Sequence, residues 1–498
     1  MFEKILIANR GEIACRVIRT CRRLGIETAV IYSEADKDCL HVKLADEAYP
    51  IGPPEPEKSY LRIDKIIDVA KACDAEAVHP GYGFLAERVD FAKACEKEGI
   101  KFIGPTSETL EKLKNKTEAR KLMEKAGIAI IPGSENSVEN FEDARCIAKE
   151  IGFPVLVKAT YGGGGRGLRV AKNEEELKKI FEIAKEEAKT AFGKPEIYIE
   201  KYLEKPRHIE FQILADEHGN IIHLGERECS IQRRYQKLLE ETPSPALNEE
   251  LREKMGEVAI KAAKACGYTN AGTIEFLLKD GKFYFLEVNK RIQVEHLITE
   301  LVTGIDLVEQ QIRIAGREKL GIKQKTVSRK GWAMNCRINC EDPKRNFLPS
   351  SGKITGHRLP VAEWIRVDTH LYEGYKVPYY YDPLIAKVAV IGKDRKEVIK
   401  RMKYALENYV IEGVPTTIPF HLSLLENQNF LEGNYYVGLV EKIEELSEIA
   451  AISAALALYY PAARSLTFSR IKRRKSKWTY FGRRELMEKN NLSSWKWM

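Results

Sequence analysis

The stretch Lys158-Ala159-Thr160-Tyr161-Gly162-Gly163-Gly164-Gly165-Arg166-Gly167 decides how this chain is read. It follows Phe153-Pro154-Val155-Leu156-Val157, an apolar run that predicts a strand ending in Lys158. It precedes Leu168-Arg169-Val170, which predicts the start of another. A lysine at a strand end before a glycine hairpin suits a polyphosphate. The ammonium meets the phosphates, and backbone without side chains brings its N–H groups close. The GxxxxGK[ST] pattern is absent, the lysine precedes the glycines, and no helix-starting GxGxxG forms. A strand–glycine loop–strand lid over a nucleotide is the best reading. A plain flexible hairpin is the alternative on this segment alone.

Upstream of the lid, residues 1–113 alternate strand and helix. Strands are predicted at 4–8, 27–32, 77–79 and 101–103, and helices at 11–24, 63–72 and 91–97. That rhythm implies a parallel sheet with helices on its faces. A helix follows at 117–126, and Pro132-Gly133 marks the entry to the lid, which extends over about 131–203. Beyond a charged amphipathic helix at 174–190, strands are predicted at 197–201, 209–215, 221–227, 273–279 and 283–289. Asp280-Gly281 is a hairpin turn between the last two. Residues 328–331 read as a boundary. After them come β-rich segments with a helix near 396–408, and then a tail, 447–498, of different composition.

Two strands carry the second signal, Thr273-Ile274-Glu275-Phe276 and Phe285-Leu286-Glu287-Val288-Asn289. Glu287 and Asn289 are two apart and share a face, and pairing can bring Glu275 beside them. Two carboxylates and an amide oxygen make a hard, incomplete oxygen site, the kind that holds Mg²⁺ or Mn²⁺ with a nucleotide. Solvent-facing acids on a hairpin are the alternative. Arg291-Ile292-Gln293-Val294-Glu295-His296 follows at once, where a guanidinium and a carboxylate could bind a small oxyanion and take its proton. An ordinary ion pair would look the same in this fragment. The run Glu226 to Lys237 is too densely charged for a core strand and suits a wall around anionic ligands, or a solvated loop. Cys336-Arg337-Ile338-Asn339 sets an arginine in an apolar strand, and the glycines of His79-Pro80-Gly81-Tyr82-Gly83-Phe84-Leu85-Ala86-Glu87 let a loop pass close to a ligand.

Bulk properties narrow the class. At 498 residues, about three domains are expected. Hydrophobic content of 44% with 31% charged residues describes a soluble globular protein, and the apolar run 449–460 is too short to cross a bilayer. The start of the chain reads as a strand, without a signal-peptide core. Ten scattered cysteines with no CxxC pair read as reduced thiols in a cytoplasmic protein. The net charge of +8 does not imply nucleic acid. From Arg464 onward eleven Lys and Arg oppose only Glu485 and Glu488, so the basicity belongs to the tail.

In order, ANRGEIACR, HPGYGFLAE, KATYGGGGRG, EKYLEKPRHIE, ERECSIQRRYQK, GTIEF, EVNKRIQVEH and CRIN resemble the biotin carboxylases, over 4–442. The resemblance implies an α/β (α+β) ATP-grasp fold. Its parts would be a Rossmann-like N-terminal domain (1–113), a central ATP-grasp domain (114–328) and a β-rich C-terminal domain (329–446). It implies that Lys116, Lys158, Glu200, Lys201, Tyr202, Leu203 and His208 bind ATP, with 200–203 as the adenine hinge and Gly164 and Gly165 over the phosphates. Glu275, Glu287 and Asn289 would hold two ions of Mg²⁺ or Mn²⁺. Lys237, Arg291 and Val294 would bind bicarbonate, and Glu295 would deprotonate it. Arg337 would stabilise the biotin enolate, Tyr82 would line the biotin pocket, and Gln232 and Tyr235 would complete the ligand walls. Tyr235, Lys290 and Leu297 depart from the family pattern without removing a catalytic group.

A duplicated ATP-grasp half, as in carbamoyl-phosphate synthetase, is absent. An Ala-Met-Lys-Met biotinylation sequence and a carboxyltransferase domain are absent too, so the biotin is expected on a separate carrier and carboxyltransferase subunit. Length and tail resemble the stand-alone A subunits of two-subunit pyruvate carboxylases. The alternatives are the biotin carboxylase subunit of acetyl-CoA carboxylase and a degenerate regulatory subunit that binds ATP without turnover. A homodimer or larger hetero-oligomer is implied by the family. The tail, with Trp478, Trp495 and Trp497, reads either as a docking surface for the biotin-bearing subunit or as a segment folded on its own domain.

Overall fold

Strand β1 (Lys4–Ile7) alternates its side chains between two faces. Ile5 and Ile7 pack with Ala14, Val17, Ile18 and Cys21 of helix Gly11–Leu24. Leu6 packs on the other face with residues of helices Ile63–Ala72 and Val89–Lys97. The computed structural model describes residues 1–159, 169–192 and 197–445. The glycine stretch with Gly164 and Gly165, and the tail 447–498, lie outside the described residues. Strand β1 pairs in parallel with β2 (Glu27–Ser33) and β4 (Ala77–His79). With β3 (Glu47–Gly52) and β5 (Lys101–Phe102) the order is β3-β2-β1-β4-β5. The sheet grows first to one side of β1 and then to the other. In open parallel sheets such a reversal places ligand-binding loops at the carboxyl ends of the strands. The turn at Asn9 and the loop after His79 leave the sheet there, side by side.

A small antiparallel sheet follows, with β6 (Val155–Ala159) between β7 (Arg169–Ala171) and β8 (Ile197–Lys201). Val155, Val157, Ile197 and Ile199 pack against helices Phe141–Ile151 and Glu174–Phe192. Lys158 stands at the exit of β6, as the glycine reading expects.

The main body is an eight-stranded antiparallel sheet. It contains β9 (Arg207–Ala215), β10 (Ile221–Arg233), β11 (Gln236–Thr242), β12 (Asn270–Lys279), β13 (Lys282–Asn289) and β14 (Trp332–Asn339). Its order is β13-β12-β9-β10-β11-β14, then strands Leu384–Gly392 and Ile365–Thr369. Along β9, Ile209, Phe211 and Ile213 face helix Glu249–Cys266 through Met255, Ala259 and Ala262, so the alternate residues His208, Glu210 and Gln212 face the other way. That helix starts on the Asn248 side chain, which accepts from Leu251 N–H, and ends on Gly267 at φ 62°. Asp280 and Gly281, at φ 49° and 74°, form the expected hairpin turn between β12 and β13.

One expectation fails. The run from Glu226 is not too charged for a core strand and is not a solvated loop, because 226–233 lies inside β10 and Glu226, Arg227 and Glu228 are fully buried, while 232–237 does form part of a cavity wall. Its charges are matched by partners distant in sequence. Glu226 accepts from Arg252 at 2.8 Å and from Arg329 at 2.7 Å, and Glu228 accepts from Ser244 at 2.7 Å. Paired and hydrogen-bonded charge can be buried; unpaired charge cannot. Residues Met1–Glu441 form one compact unit. No helix among the described residues is long and apolar enough to cross a membrane.

Candidate functional site

The polar faces of β9 to β13 build the site by register. Arg227 on β10 stands opposite Glu210 on β9, Glu210 opposite Glu275 on β12, and Glu275 opposite Glu287 on β13. One row across four strands therefore carries four charged side chains on a single face. The next row pairs Gln212 with Thr273, and Thr273 with Asn289. On β11 a register shift at Leu238 lets Gln232 pair with Lys237 while Ile231 pairs with Leu239. The extra residue turns Lys237 onto the face that carries Glu240.

These elements enclose a cavity of about 1700 Å³. Every described residue named above as a candidate lines it: Tyr82, Lys116, Lys158, Glu200, Lys201, Tyr202, Leu203, His208, Gln232, Tyr235, Lys237, Glu275, Glu287, Asn289, Arg291, Val294, Glu295 and Arg337.

At the centre, Lys237 Nζ donates to Glu295 Oε1 at 2.8 Å and to Glu275 Oε1 at 2.9 Å, and it also meets Glu210. Arg337 Nη2 donates to the other oxygen of Glu295 at 2.8 Å, while its Nε donates to Glu240 at 2.6 Å. Burial alone would raise the Glu295 carboxyl, but Lys237, Arg337 and Arg227 hold it well below the usual carboxylate range. Glu295 is therefore a carboxylate at neutral pH. A ligand that draws Lys237 or Arg337 away raises its basicity. Burial works against the Lys237 ammonium, and the carboxylates around it more than offset that, keeping its pKa well above the ordinary value.

At the other end of the cavity Lys158 meets Glu200, which also accepts from Tyr198 at 3.2 Å and Arg120 at 3.4 Å. Burial pulls the Lys158 pKa down despite that carboxylate. Lys116 Nζ donates to Glu287 at 2.8 Å, and the Glu287 charge raises its pKa. The 200–203 segment is fixed through backbone: Lys201 N–H donates to Pro132 and Tyr202 N–H to Pro154. His208 Nδ1 shares a 2.9 Å hydrogen bond with Gln232 Nε2, and its Nε2 lies 3.1 Å from Glu275.

Glu275, Glu287 and Asn289 fit a hard divalent cation. They are oxygen donors on adjacent strands, and each oxygen group already meets a cation of the chain: Lys237, Lys116 and, at 3.0 Å, Arg291 Nη2. Arg291 reaches Asn289 and, at 3.6 Å, Glu87. The departures are accommodated. Lys290 is buried and donates to the Leu113 carbonyl at 3.2 Å, Leu297 is core beside Ile298 and Val302, and Tyr235 sits at φ 65° in the two-residue turn between β10 and β11.

Residues that the sequence reading passed over hold this set in place. Arg227 bridges Glu210, Gln212, Thr273, Gln293 and Thr299, while Gln293 Nε2 donates to Glu275 at 2.9 Å. The densely charged run around Arg227 was the available signal.

A lysine near the end of β6, a cross-strand acidic set and a buried cation–carboxylate cluster share one cavity, the arrangement of an ATP-grasp ligase. The biotin carboxylase N-terminal domain family matches residues 1–110, and the biotin carboxylase C-terminal domain family matches 335–442. The ATP-binding domain of the carbamoyl-phosphate synthase L chain matches 115–323 between them. Biotin carboxylase 1 of Bacillus subtilis is 55% identical over 443 residues, 89% of this chain and 98% of that one. The A subunit of Methanothermobacter thermautotrophicus pyruvate carboxylase is 51% identical over 490 residues, 93% of this chain and all (100%) of that one. The biotin carboxylase domain dimer of Hydrogenobacter thermophilus 2-oxoglutarate carboxylase, solved with MgADP, ADP and bicarbonate, superposes with a TM-score of 0.85. It shares 49% identity, over 89% of this chain and 98% of that one. The chain belongs to the biotin carboxylase family of ATP-dependent ligases.

Proposed function

We propose that the chain carboxylates biotin borne by a separate carrier and carboxyltransferase subunit, in the role of the A subunit of a two-subunit pyruvate carboxylase. The observation that carries the chemistry is the meeting of Lys237 and Arg337 on the two oxygens of Glu295, in a cavity that also holds the Lys116, Lys158 and Glu275/Glu287/Asn289 set. Lys116, Lys158, His208 and the 200–203 segment bind ATP, with Gly164 and Gly165 over its phosphates. Glu275, Glu287 and Asn289 hold Mg²⁺ or Mn²⁺, which when bound offsets phosphate charge. Lys237, Arg291 and Val294 bind bicarbonate, and Glu295 accepts its proton. Its oxygen then attacks the γ-phosphorus, ADP leaves, and the carboxyphosphate formed releases CO₂ and phosphate. Biotin, lying along Tyr82 and losing its ureido N–H proton to that phosphate, attacks CO₂ while Arg337 faces the enolate oxygen.

The pyruvate carboxylase relative and the 2-oxoglutarate carboxylase small subunit of Hydrogenobacter thermophilus match 93% and 92% of this chain, against 89% for Bacillus subtilis biotin carboxylase 1. The pyruvate assignment rests on the higher identity, 51% against 48%. The chain is read as three parts, 1–113, 114–328 and 329–446, with the tail 447–498 as the docking segment for the carrier. Ten free cysteines, nine of them buried, fit a reducing cytoplasm. A homodimer is expected from the dimeric relative. Reconstitution tests the assignment: the biotinylated carrier–carboxyltransferase subunits of pyruvate, acetyl-CoA and 2-oxoglutarate carboxylases are supplied separately with labelled bicarbonate, and the acceptor labelled fastest identifies the partner. Fastest labelling of pyruvate supports the assignment. Fastest labelling of acetyl-CoA or 2-oxoglutarate instead moves the chain to that carboxylase.

A further inference from the structure

The segment Ala8-Asn9-Arg10-Gly11-Glu12 carries part of the family resemblance, yet no role above uses it. It is the turn that leaves β1 together with the first two residues of helix Gly11–Leu24, beside the loop that leaves β4, at the reversal point of the parallel sheet. Asn9 Nδ2 donates to the carbonyls of Pro80, at 2.7 Å, and Tyr82, at 2.8 Å. A Cβ at position 81 would lie 2.9 Å from that same nitrogen, so the loop approaches this closely because residue 81 is glycine. One side of the turn thus fixes the backbone of Tyr82.

The other side reaches the base. Glu12 is buried and meets Lys387 Nζ at 2.9 Å. Lys387, on strand Leu384–Gly392, is fully buried and donates to the Val294 carbonyl at 3.2 Å. That carbonyl belongs to the peptide joining Val294 to Glu295, so the backbone that carries Glu295 is tied to a buried ammonium. Asp368 comes within 4.0 Å of the same ammonium but is engaged by Arg366 at 2.8 Å. A buried ion pair is a weak stabiliser against well-packed apolar residues of similar size, which leaves placement as its use here.

We infer that the Asn9–Glu12 segment is a bracket that positions the two substrate walls through different first contacts, although Lys387 also stands 5.8 Å from the Tyr82 ring and opposite Arg337. Asn9 sets the Tyr82 loop on the biotin side, and Glu12, through Lys387, sets the Val294–Glu295 peptide on the bicarbonate side. These are positioning residues, and the inference rests on the biotin carboxylation proposed above. Steady-state ADP release with the full chain, MgATP, bicarbonate and free biotin tests it. Lys387→Met, and Glu12→Gln as a second variant should the first not fold, raise the bicarbonate KM about tenfold and the biotin KM by a distinctly smaller factor, since Lys387 makes its hydrogen bond to Val294 but only flanks the Tyr82 ring. Asn9→Ala gives the opposite pattern. A general loosening of the fold shifts both constants together, so the crossed pattern is what a merely structural role would not produce. Wild-type protein without bicarbonate-dependent ADP release overturns the proposed function and the bracket with it. Active wild type with variants that shift both constants alike, or neither, overturns the bracket alone.

Discussion

Replacing Arg227 by methionine tests the claim that the acidic row is held by one buried guanidinium. Arg227 has no solvent exposure. Its Nε donates to Glu210 at 2.5 Å, Nη1 to Gln212 at 2.7 Å and Thr299 at 3.0 Å, and Nη2 to Gln293 at 2.6 Å and Thr273 at 3.2 Å. Methionine keeps much of the length and none of the donors. Glu210 is left with Lys237, which Glu275 and Glu295 also claim. Opening a buried pair costs about 3–5 kcal/mol, and each orphaned amide oxygen adds about 1 kcal/mol, so about 5 kcal/mol is expected. The loss depends on pH with a definite sign. Burial already pushes the Glu210 carboxyl above its ordinary range against the pull of Lys237 and Arg227. Without Arg227 it rises further, and a group whose folded pKa is raised contributes stability below its unfolded value that is lost as pH rises through the folded one. The deficit of Arg227→Met relative to wild type therefore grows as pH rises from the ordinary carboxylate range to well above it, compared at about pH 5 and about pH 8 as the two measuring conditions. Urea unfolding followed by tryptophan fluorescence at both values measures it. A deficit below about 1 kcal/mol, or one equal at both pH values, refutes the reasoning.

Three further outcomes are expected. Glu295→Gln keeps the shape and loses the charge, so bicarbonate-dependent ADP release drops at least about 100-fold while calorimetric ATP affinity holds; unchanged release removes Glu295 as the base. Arg337→Met cuts the biotin-stimulated part of ADP release by about 100-fold or more, and more deeply than the biotin-free part; equal loss of both would limit Arg337 to holding Glu295. Glu287→Gln raises the Mg²⁺ needed for half-maximal activity about tenfold at fixed ATP, and an unshifted Mg²⁺ titration would remove Glu287 from the metal set.

Where local pattern decides structure, the sequence was readable. Helix Gly11–Leu24 and strands Ala77–His79 and Ile197–Lys201 fall where periodicity and glycine punctuation place them. Glu287 and Asn289 share a face by strand alternation, but Glu275 stands opposite Glu287 only because the pairing shifts by one residue at Leu286, which the turn alone does not set. Helix Glu249–Cys266 went unread although its cap residues, Asn248 and Gly267, stand in the sequence. The run at 226–233 was misread for a deeper reason. Its charges look solvent-bound until Arg252, Arg329, Ser244 and Glu210 arrive from other strands and helices, and one strand's sequence does not display its cross-sheet partners. The link from Glu12 through Lys387 to Val294 is invisible for the same reason, since it joins residues far apart in the chain, 93 positions between Lys387 and Val294 and more between Glu12 and Lys387.

The central claim, that this cavity activates bicarbonate with ATP for transfer to biotin, is tested most directly by ADP release from the full chain with MgATP. Bicarbonate and free biotin are each added and withheld. The account predicts release that requires bicarbonate and is stimulated by biotin. Tight ATP binding with no bicarbonate-dependent release, even with a biotinylated carrier domain supplied, would contradict it.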